Sequence, residues 1–96
     1  MPRDAFVVIV VRLYSRPGCH LCDIMKATVE QIVASSRTPI QLEQIDISTD
    51  ADLEARYGLE IPVLEINGKK VAKYRISEEA LKRILAGQTG RAGAAG

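Results

Sequence analysis

The chain has 96 residues, a length that predicts one small domain, and its 47% apolar and 26% charged residues are typical of a globular protein. A formal net charge of +1 and the lack of tryptophan argue against a nucleic-acid-binding protein, which needs a strongly basic face. The longest apolar run, 5–11, is far shorter than the ~20 residues that span a bilayer, so we expect no membrane partner. No small-residue cleavage site follows this run, and we therefore expect a cytoplasmic protein.

The first predicted strand is the run "AFVVIVVRLYS", Ala5 to Ser15, which is rich in β-branched residues and has no polar alternation before Arg12. Such a run favours a strand that is buried on both faces. Pro17 and Gly18 then end the strand in a turn. From His20 to about Ser35, apolar residues recur at helical spacing, which predicts an amphipathic helix.

A second strand and a short helix follow. The alternation of apolar and polar residues in "IQLEQIDI", Ile40 to Ile47, predicts the strand. The segment "STDADLEARYG" predicts the helix, with Thr49 or Asp50 as its N-cap. We expect Gly58 to end this helix in the left-handed conformation that glycine adopts at low cost.

A hairpin and a last helix complete the predicted elements. The segments "PVLEI" and "KVAKY" flank Asn67-Gly68, which is the strongest short signal for a β-hairpin. Ser77 is predicted to cap the last helix, with two glutamates behind it in the first turn. The final stretch, Gly87 to Gly96, is small and polar, and we predict a flexible tail there.

The predicted order is therefore β-α-β-α-β-β-α. A helix joins the first two strands, so they should be parallel with a right-handed crossover, and the last two should form an antiparallel hairpin. We predict an α/β fold with a four-stranded mixed sheet and helices on both of its faces. A Cys-x-x-Cys motif lies at the end of the first strand. Together with this element order, it is typical of a thioredoxin-like domain, which we assign to residues 1–86.

The only cysteines of the chain, Cys19 and Cys22, lie three residues apart at the start of the first helix. Residues at this spacing share one helix face, so the pair can close a disulfide with little backbone movement. Cys19 faces the unpaired N–H groups of the first turn, which should lower the pKa of its thiol below the free value of ~8.5. We therefore predict Cys19 as the attacking nucleophile and Cys22 as the resolving thiol.

Other interpretations of the two cysteines stay open at this point. Both could be small buried apolar residues without redox chemistry, as in an inert adaptor that keeps only the fold. They could also bind a metal, but a closed zinc site takes four protein ligands, which one chain here lacks. A dimer bridged by an iron–sulfur cluster would be the remaining version of that alternative.

Two more residues are candidates for a role beside the cysteine motif. Pro62 opens a predicted strand, where its missing N–H is tolerated, and its combination with Cys-x-x-Cys favours a cis peptide bond over the usual trans form. His20 is the only histidine; Asp23 could pair with it, and when protonated it should help to lower the pKa of the Cys19 thiol. We therefore predict a pKa-tuning role for His20.

The segments "LYSRPGCHLC" and "ARYGLEIPVLEINGK" resemble the glutaredoxin-like branch of the thioredoxin superfamily, in particular small bacterial proteins with a CxLC active site. The similarity covers nearly all of Val7 to Ala86. It implies the same nucleophile and resolving cysteine, and a cis-proline at Pro62 that faces the two sulfurs. It also implies that the backbone of Ile61 pairs with a bound glutathione or peptide, and that Arg16 contacts a glutathione carboxylate.

One segment departs from the family pattern. Glutaredoxins follow the hairpin with Gly-Gly and then an Asp, whereas this chain has "AKYRIS", Ala72 to Ser77. Two anchors for glutathione are thus missing, and Lys73 and Tyr74 would crowd the groove, so we expect weak glutathione binding.

The resemblance implies a thiol–disulfide oxidoreductase that reduces protein or glutathione mixed disulfides, and the alternative is a metal or iron–sulfur cluster-binding glutaredoxin-like protein. We expect no bound cofactor, because the two sulfurs supply both electrons. Expected partners are a disulfide-containing protein, glutathione as co-substrate and a thioredoxin-type reductase. We expect the chain to be a monomer.

Overall fold

The computed structural model describes residues 8–95 of the chain, and side chains within 8–88. The elements are β1 (Ile9–Ser15), α1 (His20–Ser35), β2 (Ile40–Asp46), α2 (Ala51–Tyr57), β3 (Val63–Ile66), β4 (Lys69–Lys73) and α3 (Glu78–Ala95). A short 3-10 turn, Ile47–Thr49, joins β2 to α2. The predicted β-α-β-α-β-β-α order is confirmed, although the first three residues predicted in the first strand, 5–7, lie outside the described residues.

The four strands form one mixed sheet in the order β2-β1-β3-β4. β1 and β2 are parallel, with Ile9 opposite Ile40 and Ser15 opposite Asp46, as expected for strands joined through a helix. β3 is antiparallel to both β1 and β4. The hairpin turns at Asn67 and Gly68, whose φ values of 51° and 83° are the two positive angles of a type I′ turn.

Helices lie on both faces of the sheet, as predicted. Residues from β1, α1, β3 and α3 form the larger core on one face: Ile9, Val11, Leu13, Met25, Val29, Ile32, Leu64, Ile66, Leu81 and Leu85. A smaller cluster lies on the other side and includes Tyr14, Cys22, Ile47, Tyr57, Ile61 and Val63. The second cluster holds one of the two cysteines, so the packing of α2 and β3 determines what surrounds the motif.

The prediction that the first strand is buried on both faces is wrong for part of β1. Ile9, Val11 and Leu13 are buried, but Arg12 points to the other face and is exposed. Its Nε lies 2.8 Å from Oε1 of Glu43 on β2, and this neighbouring carboxylate raises the pKa of Arg12. On this face of β1 Val10 is half-buried and Arg12 is exposed, whereas Tyr14, which stacks on Tyr57 of α2, is buried.

Helix ends follow the predicted capping residues, with one correction. Asp50 Oδ1 accepts the N–H groups of Asp52 and Leu53 and so caps α2, while Ser77 Oγ accepts the N–H of Ala80 at the start of α3. Gly58 was expected in the left-handed conformation, but its φ is −55° and its ψ is −32°, which are right-handed helical values.

The reason lies in how α2 ends. The N–H groups of Glu60 and Ile61 both donate to the carbonyl of Tyr57, at 2.8 and 3.1 Å. This right-handed turn satisfies the last carbonyl of the helix without a left-handed residue. A Cβ at Gly58 would lie 2.5 Å from the carbonyl oxygen of Glu54, so the position requires glycine for space and not for its φ.

The last helix is longer than the sequence pattern indicates. α3 runs from Glu78 to Ala95, past Gly87, where the predicted tail begins. The flexibility of 87–96 and the domain limits of 1–86 stay predictions. Within the described part of the chain, none of the helices combines the length and the apolar character needed to cross a bilayer.

Candidate active site

Cys19 and Cys22 are joined by a disulfide, with Cα atoms 5.2 Å apart. Cys19 is the N-cap of α1, with extended backbone angles, and its sulfur accepts the N–H of Cys22 at 3.2 Å. Cys22 lies one turn inside the helix and is only 3% exposed, whereas Cys19 is half-buried. The two sulfurs are therefore inequivalent: the outer one is reachable from solvent and lies against a backbone donor.

The turn before the motif explains why the helix begins where it does. The N–H of Cys19 donates to the carbonyl of Arg16 at 3.3 Å, which closes a turn through Pro17 and Gly18. Gly18 has a φ of +82°, which suits the third position of a type II turn with proline before it. A Cβ at Gly18 would meet nothing within 4 Å, so here glycine is needed for its backbone angle alone.

The peptide bond between Ile61 and Pro62 is cis, as predicted from its combination with the cysteine motif. Pro62 is fully buried, and its neighbours Ile61 and Val63 belong to the small cluster against which Cys19 packs. The loop before β3 therefore lies beside the disulfide and forms an apolar surface under it.

Ile61 was predicted to pair with a ligand through its backbone. Its N–H already donates to the carbonyl of Tyr57 at 3.1 Å. A peptide or glutathione that approaches Ile61 would share this N–H with Tyr57 or use only the carbonyl. Sequence reasoning missed this bond, because it depends on how α2 ends.

Arg16, the predicted carboxylate contact, lies beside the motif but already has a partner. Its Nη1 is 2.7 Å from Oε1 of Glu54 on α2, and its Nη2 donates to the carbonyl of Gly58 at 3.4 Å. Both side chains of the ion pair are more than a third exposed, so the pair is worth little in stability and can be opened. A ligand carboxylate would compete with Glu54, a residue that no sequence signal linked to the motif.

His20 is exposed at the first position of α1. Within the described residues, no hydrogen bond or ion pair joins His20 to Asp23, so the pair suggested by their spacing is not formed. The predicted tuning role of His20 stays a prediction.

Two tyrosines support the surface beneath the motif. The rings of Tyr14 and Tyr57 are stacked with centroids 4.4 Å apart, and both hydroxyls donate to the carboxylate of Glu65, at 3.3 and 3.4 Å. Burial, followed by the charge of Glu65, raises the pKa of Tyr14, so this hydroxyl stays protonated and remains a donor. The stacked pair joins β1 to α2 next to Cys22, which belongs to the same cluster.

A polar cleft of about 270 Å³ opens beside the inner cysteine. Its wall includes Cys22, Asp23, Lys26 and Asp46, together with Arg16 from the turn. The hydroxyl of Ser48, followed by its backbone N–H, lowers the pKa of Asp46, which is therefore ionised at neutral pH. A cleft lined by charged side chains thus lies next to the helix face that carries the inner sulfur.

The segment after the hairpin holds the feature that sequence reasoning missed most clearly. Tyr74 has a φ of +72°, an unusual angle for a bulky residue. Its N–H donates to the carbonyl of Pro62 at 2.8 Å, and its hydroxyl donates to the carbonyl of Leu59 at 3.0 Å. The sequence singled out this segment as a departure from the family pattern, but nothing in it indicates a left-handed tyrosine.

No cluster of three or more histidine, cysteine, aspartate or glutamate side chains suited to a metal ion occurs in the described part of the chain. The sulfurs of Cys19 and Cys22 are bonded to each other. The observed geometry is that of a closed Cys-x-x-Cys disulfide at the start of α1.

Comparison with known proteins agrees with this geometry. Residues 10–86 match the family described as Glutaredoxin-like domain (DUF836). The "Glutaredoxin-like protein YDR286C homolog" of Dictyostelium discoideum is 31% identical over 80 residues, which cover 79% of this chain and 74% of that protein. The matched range begins inside β1 and ends in α3, so it includes both cysteines and the cis-proline.

Solved structures share the fold. The X-ray structure of target protein XcR50 from X. campestris is 32% identical in sequence, and its TM-score is 0.65. The match covers 78% of this chain and 93% of that chain. Protein Ne2328 from Nitrosomonas europaea is 27% identical, with 79% of this chain and 89% of that chain covered and the same TM-score of 0.65. A mutant thioredoxin from Halobacterium salinarum is 22% identical, with shares of 84% and 74%, and its TM-score of 0.63 shows the common fold.

Fold, cysteine pair and family match lead to one classification. The four-stranded mixed sheet with three helices is thioredoxin-like, and the Cys-x-x-Cys disulfide supports a redox function. The chain belongs to the glutaredoxin-like family of the thioredoxin superfamily.

Proposed function

We propose that the protein is a dithiol–disulfide oxidoreductase that reduces disulfides of other molecules through Cys19 and Cys22. The observation that carries this proposal is the inequality of the two sulfurs, one half-buried at the mouth of α1 and one 3% exposed inside it. Only the outer sulfur can meet a substrate, and the inner one can reach only the outer one. This arrangement suits a two-step exchange.

In the first step, the Cys19 thiolate attacks one sulfur of the substrate disulfide. A bond forms between the two sulfurs, the substrate S–S bond breaks, and the second substrate sulfur leaves as a thiolate. In the next step, Cys22 loses its proton and attacks the sulfur of Cys19, which releases the remaining substrate sulfur. The substrate gains two electrons and two protons, and the protein ends with the Cys19–Cys22 disulfide.

Local groups assist each step. The N–H of Cys22, 3.2 Å from the Cys19 sulfur, and the dipole of α1 stabilise the attacking thiolate. The cleft that Cys22 and Asp46 both line gives the Cys22 proton a way out to solvent in the second step. Exposed His20 would add positive charge near Cys19 when it is protonated.

The oxidised pair needs an external reductant, because the chain supplies only its two cysteines. A low-molecular-weight thiol such as glutathione, or a dithiol reductase of the thioredoxin type, would donate the electrons, and no bound cofactor takes part. This cycle fits a monomer in a reducing compartment such as the cytoplasm.

Three contacts argue against tight binding of glutathione. Arg16 is paired with Glu54, the N–H of Ile61 is bonded to Tyr57, and Tyr74 lies where smaller residues would leave the groove open. We therefore propose that polypeptide disulfides are better substrates than glutathione mixed disulfides.

The test compares the reduced wild-type protein with Cys19→Ser and Cys22→Ser, using a peptide disulfide and a glutathione–peptide mixed disulfide as substrates. Mass spectrometry follows the products. The wild type should reduce the peptide disulfide, Cys19→Ser should fail, and Cys22→Ser should accumulate a covalent adduct through Cys19. Full dithiol activity in Cys19→Ser would contradict the assignment of roles.

A further inference from the structure

The ion pair between Arg16 and Glu54 joins the turn before Cys19 to helix α2. Nη1 of Arg16 lies 2.7 Å from Oε1 of Glu54, and Nη2 donates to the carbonyl of Gly58 at 3.4 Å. A carboxylate that binds a guanidinium through two parallel hydrogen bonds uses at least one of these terminal nitrogens. An incoming carboxylate therefore competes with an acceptor that the chain itself supplies.

The end of α2 leaves room for the Glu54 carboxylate to reach Arg16. Gly58 follows Glu54 by four residues, and its N–H donates to the Glu54 carbonyl at 2.8 Å. A Cβ at Gly58 would lie only 3.2 Å from Oε1 of Glu54, which is tighter than an ordinary contact. The glycine thus allows the carboxylate to lie over the last turn of the helix and meet the guanidinium.

This ion pair lies beside both cysteines. The carbonyl of Arg16 accepts the N–H of Cys19 at 3.3 Å, so the residue belongs to the turn that carries the outer cysteine. Arg16 also lines the polar cleft to which Cys22 contributes. A substrate whose sulfur reaches Cys19 therefore brings the groups next to that sulfur close to Arg16.

The charges around the cleft are balanced without Glu54. Its charged lining residues are two cations and two carboxylates, namely Arg16, Lys26, Asp23 and Asp46. Glu54 adds a third carboxylate, and it is directed at one of the two cations. An anionic substrate thus meets a surface whose nearest guanidinium is already neutralised, and it also meets the repulsion of the carboxylate that neutralises it.

We propose that Glu54 is a specificity-determining residue that occupies Arg16 and so disfavours disulfides with a carboxylate next to the reacting cysteine. The inference rests on the proposed oxidoreductase function and names its substrate class, which is disulfides whose neighbouring groups are uncharged. Both side chains of the pair are more than a third exposed. The pair therefore opens at low cost, and Glu54 sets a preference without excluding anionic substrates.

The experiment uses two peptide disulfides that differ only in a glutamate or a glutamine next to the cysteine. The ratio of kcat/KM for the glutamine peptide to that for the glutamate peptide is measured for the wild type and for Glu54→Gln. The ratio should fall roughly two- to fivefold in Glu54→Gln, the range expected for one exposed ion pair, because only the glutamate peptide gains. Glu54→Ala, which removes the acceptor altogether, should lower it at least as much.

Two further variants separate competition for Arg16 from a general change of charge. Asp52→Asn removes the same charge from an exposed position of the same helix and should keep the wild-type ratio. In an Arg16→Gln background, replacement of Glu54 should change the ratio no more than Asp52→Asn does, because the group for which both carboxylates compete is gone. The gain in Glu54→Gln should also shrink in about 1 M salt, where charges are screened over roughly 3 Å.

An unchanged ratio in Glu54→Gln would overturn the proposal. A fall of equal size in Asp52→Asn, or in the Arg16→Gln background, would also overturn it, because Glu54 would then act as a remote charge only.

A binding measurement distinguishes failure of this inference from failure of the proposed function. S-methylated forms of both peptides are titrated into the wild type and Glu54→Gln while chemical shifts of the protein are followed. Tighter binding of the glutamate peptide to Glu54→Gln, without turnover of either disulfide, would refute the oxidoreductase and keep the role of Glu54. Turnover of both disulfides with the same ratio in both proteins would do the reverse.

Discussion

Substitution of Gly18 by alanine tests the turn that places Cys19 at the start of α1. Gly18 has a φ of +82°, and a Cβ there would meet nothing within 4 Å. The change therefore introduces backbone strain without a steric clash. For an L-residue the left-handed conformation costs roughly 1–2 kcal/mol. The lower entropy of the unfolded chain offsets about 0.4–1 kcal/mol of that.

The expected net loss in the free energy of unfolding of Gly18→Ala is thus about 1 kcal/mol. In a domain of this size such a loss would lower Tm by roughly 4–8 °C. In urea unfolding of the oxidised protein, the loss appears as a lower midpoint concentration, while the dependence of the free energy of unfolding on urea concentration stays unchanged. Gly87→Ala is the matched control, because Gly87 lies inside α3 and its Cβ would also meet nothing within 4 Å.

Gly87→Ala should stabilise the protein by about 0.5–1 kcal/mol, since alanine favours a helix interior over glycine. A loss of stability in Gly18→Ala together with a gain in Gly87→Ala would support the positive φ at Gly18. A Gly18→Ala protein as stable as the wild type would refute it, and with it the argument that this turn positions the outer cysteine.

Three further predictions concern capping, pH and ligands. Asp50→Ala should lose about 1 kcal/mol in urea unfolding, because the Asp50 carboxylate accepts the N–H groups of Asp52 and Leu53; equal stability would show that this cap contributes nothing. Ser48 lowers the pKa of Asp46 in the folded state, so the stability this bond adds is present above the unfolded pKa of about 3.9 and is lost as pH falls through the lower folded value. The stability difference between wild type and Ser48→Ala should therefore shrink in acid, and a difference that grows there would contradict the shift. Calorimetry should find weak binding of glutathione to the reduced protein, and tight saturable binding would show that the contacts of Arg16, Ile61 and Tyr74 do not block it.

Much of the fold follows from local sequence signals. The β-branched run, the Asn67-Gly68 turn and the serine and aspartate caps each predict a single local structure, and each agrees with the observed elements. Residue type predicts the ends of helices and strands less reliably. Gly58 was expected to be left-handed because glycine usually is at that position, but the turn through Glu60 and Ile61 satisfied the helix end in another way.

The cysteine pair was predicted from residue type and spacing, and the cis-proline from its combination with that motif and from the family resemblance. The pairings around them were not, because they join residues far apart in the chain. Arg16 meets Glu54 across 38 positions, and Tyr74 meets Leu59 across 15. Such contacts depend on how the loops pack, and the left-handed angle of Tyr74 has no signature in its own residue type.

The account depends on one physical difference between the two thiols. The thiol of Cys19 ionises readily and is accessible from solvent, whereas the thiol of Cys22 does not ionise readily and is buried. The direct measurement is the pH dependence of alkylation of the reduced protein, with the labelled cysteine identified by mass spectrometry. We predict that Cys19 reacts first, with a midpoint below the ~8.5 of a free thiol, and that Cys22 stays protected in the folded protein. Equal labelling of both cysteines, with midpoints at or above that of a free thiol, would contradict the account.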